Sequence, residues 1–174
     1  MPKQITVCFI ALACLLSACA LGDVVVNTTP LPPITLAPPP ALNLVGSCED
    51  TKALETWLQV STELRENFQT QMNAAAAKNK NDMYADIVNM AALRDSSFGV
   101  ATPDCAADAG MKLSDAMNQA VTAFQSYFNG DAPDLGNSVV NINSQLDSVQ
   151  AAQIELIKQM DTQFQQQLLA TATP

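Results

Sequence analysis

The chain has 174 residues, 48% of them apolar, with 17 Asp and Glu against 8 Lys and Arg, a net charge of −9, and no histidine. A surface that acidic repels phosphate backbones and anionic headgroups, which excludes nucleic acid as a partner and a basic patch as a membrane attachment. The missing histidine removes the commonest general base, the usual haem ligand and the Glu-x-x-His motif of di-iron bundles.

The N-terminus carries Lys3, an apolar run from Ile5 to Leu16, and then Leu16-Ser17-Ala18-Cys19. A dozen apolar residues fall short of the roughly 20 that span a bilayer, so a removable leader is expected rather than an uncleaved transmembrane helix. Two cleavages compete: an ordinary secretory cut after the small-x-small triplet Ala18-Cys19-Ala20, and a cut just before Cys19. The tetrapeptide 16–19 resembles the lipobox of bacterial lipoproteins, with an aliphatic residue at Leu16, small residues at Ser17 and Ala18, and a thiol at Cys19. The earlier Ala11-Leu12-Ala13-Cys14 has alanine where the aliphatic residue belongs. The resemblance implies a signal peptide over 1–18 and lipidation of Cys19 by fatty acyl chains of the palmitate kind. It also implies residence on the extracytoplasmic side of the cell membrane or outer membrane, and Ala20 in place of aspartate favours the outer one. One acyl chain holds a protein marginally, whereas two or three, at about 0.8 kcal/mol per buried methylene, hold it firmly. With the leader gone, seven Lys and Arg face 17 Asp and Glu, a charge of −10.

Residues 19–46 are rich in Thr, Val and Pro, with Pro30, Pro32, Pro33 and Pro38-Pro39-Pro40. Proline fixes φ and removes a donor, so this segment is expected to be a disordered, PPII-like tether between the lipidated cysteine and a domain over 47–174. An edge strand through Val24-Val25-Val26 is the alternative.

From Ser47 on, the apolar residues recur at helical spacing in four segments. The first is expected to open at Ser47 with Asp50 as its capping partner and to carry Leu54, Trp57, Leu58, Leu64, Phe68 and Met72 as far as about Lys78. The polar run Asn79-Lys80-Asn81-Asp82 is expected to cap a second helix with Met83, Tyr84, Ile87, Val88, Ala91 and Leu93, stopped by Gly99. Thr102-Pro103 reads as the cap and first turn of a third helix, whose stripe runs through Leu113, Met117, Ala120, Val121, Phe124, Tyr127 and Phe128 to Asn129-Gly130. The fourth alternates by four and three through Leu135, Val139, Ile142, Leu146, Val149, Gln153, Leu156 and Met160, the spacing of a coiled-coil seam with Gln153 as its one polar member. Short links make antiparallel neighbours, so the expected fold is all-α, an antiparallel up-down-up-down bundle of about four helices.

Cys8 and Cys14 leave with the leader and Cys19 is taken by lipid, so Cys48 and Cys105 remain. In an exported chain an even remainder is most simply a disulfide; free thiols or a metal pair are the alternatives, and a metal lacks further Cys or His to complete a site. Both cysteines sit at the starts of helices one and three, diagonal corners of a square bundle, so the bridge requires a three-cornered packing or inward-leaning loops at that end.

No phosphate loop, nucleophile elbow or Cys–His couple occurs, so no catalytic residue, metal site or cofactor is expected. The carboxylate pairs Asp82–Asp86, Asp104–Asp108 and Asp131–Asp134 fall near helix starts, where the dipole favours negative charge without any site. Trp57, Arg94, Pro103-Asp104-Cys105 and Ala123-Phe124-Gln125-Ser126-Tyr127-Phe128 resemble a pattern met in uncharacterised helical lipoproteins of bacteria, a likeness that implies no activity. The expected function is a non-enzymatic structural or protein-interaction module of the cell envelope, anchored through Cys19 and open to an envelope protein partner, its oligomeric state unspecified by sequence. The alternative is a carrier or sensor holding a small apolar ligand between Phe- and Met-lined helices.

Overall fold

In the computed structural model, the structure describes residues 31–48 and 51–171, with the side chains of 167, 168 and 171 outside it. The leader over 1–18, Cys19, residues 20–30 and the capping position Asp50 therefore lie outside the described residues. The compact unit begins at Pro32.

Four helices form it: α1 (Thr51–Ala76), α2 (Tyr84–Gly99), α3 (Ala107–Asn129) and α4 (Gly136–Thr171), with single 3-10 turns at Lys80–Asp82 and Asp104–Ala106. Cross-helix bonds fix the directions. Arg94 meets Asn118 and Ser97 meets Ser114, so α2 and α3 are antiparallel; Gln119 meets Gln145 across α3 and α4. Gln69 meets Asn143 while Arg65 meets Gln153, so α4 returns antiparallel to α1 and closes the ring. The up-down-up-down bundle is thus present.

The main core is built largely from the expected stripes: Phe68 and Met72 of α1, Ile87 of α2, Leu113, Met117 and Phe124 of α3, Ile142, Leu146 and Val149 of α4. On α2 Met90, outside the expected stripe, is buried instead, while Tyr84 and Val88 are exposed. Removing a Phe- or Leu-sized side chain from water contributes about 1.5–3 kcal/mol, so these residues supply most of the drive to fold. A second, smaller cluster joins Leu54, Trp57, Leu58, Ala106, Ala109 and Leu156. It belongs to α1, the start of α3 and α4 only, because α2 has already ended at Gly99. This is the three-cornered packing that a bridge between the first and third helices requires.

Three boundaries differ from expectation. Ser47 is not helical and Cys48 lies in a turn. The Asn79–Asp82 run forms a 3-10 turn, and neither Asn79 nor Met83 caps the next helix with its side chain. Thr102 is no cap either: it is fully buried, its hydroxyl donates to the Val100 carbonyl, and its backbone pairs in parallel with Leu44, while α3 starts only at Ala107. Gly130, at φ 91°, ends α3 as expected.

The largest difference concerns the tether. Residues 32–46 are extended, as their prolines require, yet they lie along the bundle as a strap instead of hanging free. Ile34 is buried in the main core, with Leu36 packed at its edge. A sequence rich in proline reports the backbone course but not whether two aliphatic side chains find a groove to fill.

Candidate functional site

Cys48 and Cys105 are brought to bonding distance, with sulfurs 2.09 Å and Cα atoms 5.6 Å apart. Two local features place them. Gly46, at φ 57°, turns the chain from the strap toward α1, and its carbonyl accepts from the Asp104 amide at 3.2 Å. The 3-10 turn Asp104–Ala106 then carries Cys105 toward Cys48 ahead of α3. Inward-leaning loops and the three-cornered cluster both contribute, as the diagonal geometry demands.

The strap is held mainly by its backbone. Asn129 clamps Ile34 at two points, its Oδ1 accepting from the Ile34 amide at 2.9 Å and its Nδ2 donating to the Ile34 carbonyl at 3.0 Å. Gln125 donates to the same carbonyl at 2.8 Å. Arg94, only 3% exposed, donates through Nη2 to the Ala37 carbonyl at 3.0 Å and through Nε to Asp95 at 2.8 Å. Arg94 with Asp95 is therefore no loose surface pair: a guanidinium at this burial, shared between a carboxylate, an amide and the strap, fixes three elements together.

Near the other end, Asn43 and Val45 bond to Phe98 and Thr102. There α3 carries Gly110, where an added methyl would stand 3.0 Å from the Thr102 methyl and 3.6 Å from Leu42. In an ordinary helix interior Gly→Ala stabilises by about 0.5–1 kcal/mol. Gly110→Ala is expected to reverse that sign and lower stability by about 1 kcal/mol, because Thr102 is pinned by its hydroxyl bond and cannot yield. Gly99→Ala, with nothing within 4 Å of the new methyl, should stabilise by about 0.5 kcal/mol. Urea midpoints of the two variants measured side by side check the contrast; equal shifts would contradict close approach at Gly110.

A second buried polar group was legible in the sequence only through Gln153. Gln153 on α4, 3% exposed, accepts from Arg65 Nε at 3.2 Å and donates to Ser61 Oγ at 2.8 Å. Arg65 also reaches Glu66 at 3.1 Å. The seam pattern did mark Gln153 as its polar member; Arg65 and Ser61 lie on the same face of α1 as Leu58, Phe68 and Met72, but nothing in their spacing separates buried from exposed.

Of the carboxylate pairs, Asp86 binds Lys78 at 2.7 Å, Asp108 binds Lys112 at 2.6 Å, and Asp134 accepts from the Gly136 amide at the start of α4. Among the described residues no group of three metal-ligating side chains gathers, and no helix is long and apolar enough to cross a membrane. Trp57 is 2% exposed and belongs to the core, not to a surface groove.

The later part of α4 is unusual. Ile154, Ile157 and Phe164 are exposed, Phe164 at 58%. Thr51 and Glu55 of α1 lie level with Met160, Asp161 and Phe164 across a shared cleft, so the last turns of α4 run on past the start of α1, and residues 161–166 are all exposed. From Ile154 onward the helix carries only Glu155, Lys158 and Asp161 as charges. A groove between α3 and α4, about 450 Å³, is open and lined by Asn118, Gln119, Thr122, Asn141 and neighbours.

Set against family models, curated proteins and solved structures, the chain matches none of them. The lipoprotein likeness therefore stands on residues 16–19 themselves.

Proposed function

We propose that the protein is a lipid-anchored module of the bacterial cell envelope, fixed through Cys19 on the extracytoplasmic side, that acts by holding a protein partner and not by catalysis. The observation that carries the interaction reading is the exposed row Ile154, Ile157 and Phe164 on a helix that outruns its neighbours. Large apolar side chains left exposed together on one helix of an acidic chain mark a place for another protein. Anchoring supports the same reading, since two or more acyl chains convert a weak contact into a persistent one by confining both partners to one surface. The phenylalanines and methionines that a carrier would turn toward a ligand, Phe68, Met72, Met90, Met117 and Phe124, pack instead on one another without exposure, which favours the interaction module over the carrier.

The test uses intact host cells fed a clickable fatty acid, with a photo-crosslinking residue at Phe164 or, as control, at the exposed Asp115 on α3. The full chain is expected to take up label, lose it entirely in Cys19→Ser, and give a discrete crosslinked band from position 164 that position 115 lacks. Unlabelled protein removes the anchor from the proposal; equal crosslinking from both positions removes the interaction face.

A further inference from the structure

The strap spans the length of the bundle in one direction. Ile34 sits at the end where α3 finishes, clamped by Asn129 and Gln125. Ala37 is one step along, on Arg94. Leu42 comes level with Gly110, and Val45 with Thr102, at the end that holds Cys48 and Cys105. The chain therefore joins the domain at the Asn129 end when the strap is seated, and would join it at Gly46, the opposite end, if the strap were released. Those ends are separated by the length of α3, 23 residues or about 35 Å.

We infer that the groove between α2 and α3 is a docking site for the chain's own anchor segment, and that its occupancy decides which end of the bundle faces the membrane. The inference rests on the reading of Cys19 as the anchor. With the strap seated, the residues from Ala20 to Leu31 are the whole connection between lipid and domain. The α3–α4 turn at Asp131 then lies near the headgroups, and the disulfide end with the protruding α4 points outward, where Phe164 can meet a partner. Released, the connection lengthens to include residues 32–45 and attaches at Gly46, so the near and far ends exchange. The seat suits reversible release. Ile34 and the edge contact of Leu36 are the strap's share of the main core. Apart from the Asn43 side chain, which donates to the Gly99 carbonyl, its hydrogen bonds run through strap backbone, so the four helices keep their contacts with one another when the strap leaves. The left-handed Gly46 and the fixed Cys48 beyond it give the hinge a definite place.

The test takes the full, acylated chain from host membranes and reconstitutes it in phosphatidylcholine vesicles doped with a headgroup-linked energy acceptor. A donor dye on a genetically encoded residue replaces either Asp131 or Gln159, both exposed and at opposite ends. Transfer from position 131 is expected to exceed that from 159 about twofold or more, given the ~35 Å between the ends. In Ile34→Asp, which places a charge in the seat, the order should reverse. Gln125→Ala with Asn129→Ala removes the clamp without touching the strap and should reverse it as well, and helical circular dichroism verifies that each variant is folded. Equal transfer from both positions, or an unchanged order in folded variants, overturns the inference while leaving the anchor in place. Protein that lacks acyl chains and does not bind vesicles overturns the anchor reading, and this inference with it.

Discussion

Gln153→Leu is expected to lower the stability of the domain by about 3 kcal/mol, although it adds an apolar residue to an apolar seam. Leucine fits the spacing of Leu146, Val149 and Leu156, and a reading by hydropathy alone would count it as an improvement. The cost arises on α1. Arg65, 4% exposed, loses the amide oxygen at 3.2 Å that its Nε donates to, and Ser61 Oγ loses the donor at 2.8 Å. The remaining partner of the guanidinium, Glu66, holds a carboxylate that is 63% exposed and lies toward water, so it offsets little. A buried cation that loses its one buried hydrogen-bond partner is among the few single changes that cost this much. The shift in melting temperature should be roughly 10 °C for a domain of this size. Removing the whole group, Ser61→Ala with Arg65→Met and Gln153→Leu, should recover most of the loss, because no polar atom is then left without a partner. Urea midpoints with unchanged slopes check the series. A single variant as stable as the parent would show that water already serves Arg65 and that the three side chains do not act as a unit.

The same group explains what the polar member of the seam does for the fold. The apolar positions of α4 recur every seven residues, so sliding the helix by one heptad against α1 would still present aliphatic side chains to aliphatic side chains. Gln153 meets Ser61 and Arg65 in one register only, and in any other it would be buried without a partner. Amides on the flanks add to this: Asn143 bonds both Gln69 and Asn73, and Gln145 bonds Gln119. The abundance of Gln and Asn, which in sequence resembles a solvated surface, partly serves as lateral stitching between helices.

Helix existence and order were legible because each helix writes its buried face as a period of three and four, and burial followed it at Phe68, Met117, Phe124 and Leu146. Helix starts were less legible. Thr102-Pro103 has the residue types of a cap, but a strap absent from the local pattern takes the Thr102 backbone into a bridge with Leu44. A cap preference is worth about 1 kcal/mol, and two backbone bonds plus a buried methyl outweigh it. The strap itself escaped for a related reason: periodicity needs ten residues or more to show, whereas Ile34 and Leu36 are two side chains in a proline-rich stretch. Of the site, Cys48 with Cys105 came from counting and Arg94 only as part of the likeness to helical lipoproteins. Gln125 and Asn129, which hold the strap, stood in the sequence only within the likeness over 123–128 and at a helix end, with no sign of the strap, since an amide on a helix surface looks the same with or without a backbone to grip.

Opening the Cys48–Cys105 link, by reductant or by Cys48→Ala with Cys105→Ala, is expected to destabilise the domain by about 2–4 kcal/mol. The linked residues are 57 apart in sequence, and closing so long a loop removes about 4 kcal/mol of freedom from the unfolded chain on the entropy argument, an upper figure where the unfolded chain keeps some structure. The loss should not be spread evenly. Leu54, Trp57, Leu58, Ala106, Ala109 and Leu156 form a cluster of their own, without α2, and two alanines contribute little apolar area to it. The main core keeps its four-helix packing around Phe68, Met117 and Phe124 whether or not the sulfurs are joined. Loosening should therefore begin at residues 51–58 and 104–109, and Trp57, the only tryptophan of the chain, reports from the middle of it. Its emission should shift to the red at reductant or urea concentrations that leave helical circular dichroism at its native value, and amide exchange should quicken there first. The Gly46 turn and the Asp104 amide that bonds it share this end, so the strap's hinge should loosen in the same step. Trp57 emission and helicity falling together, with no change in midpoint between oxidised and reduced protein, would show that the cluster stands without its covalent tie.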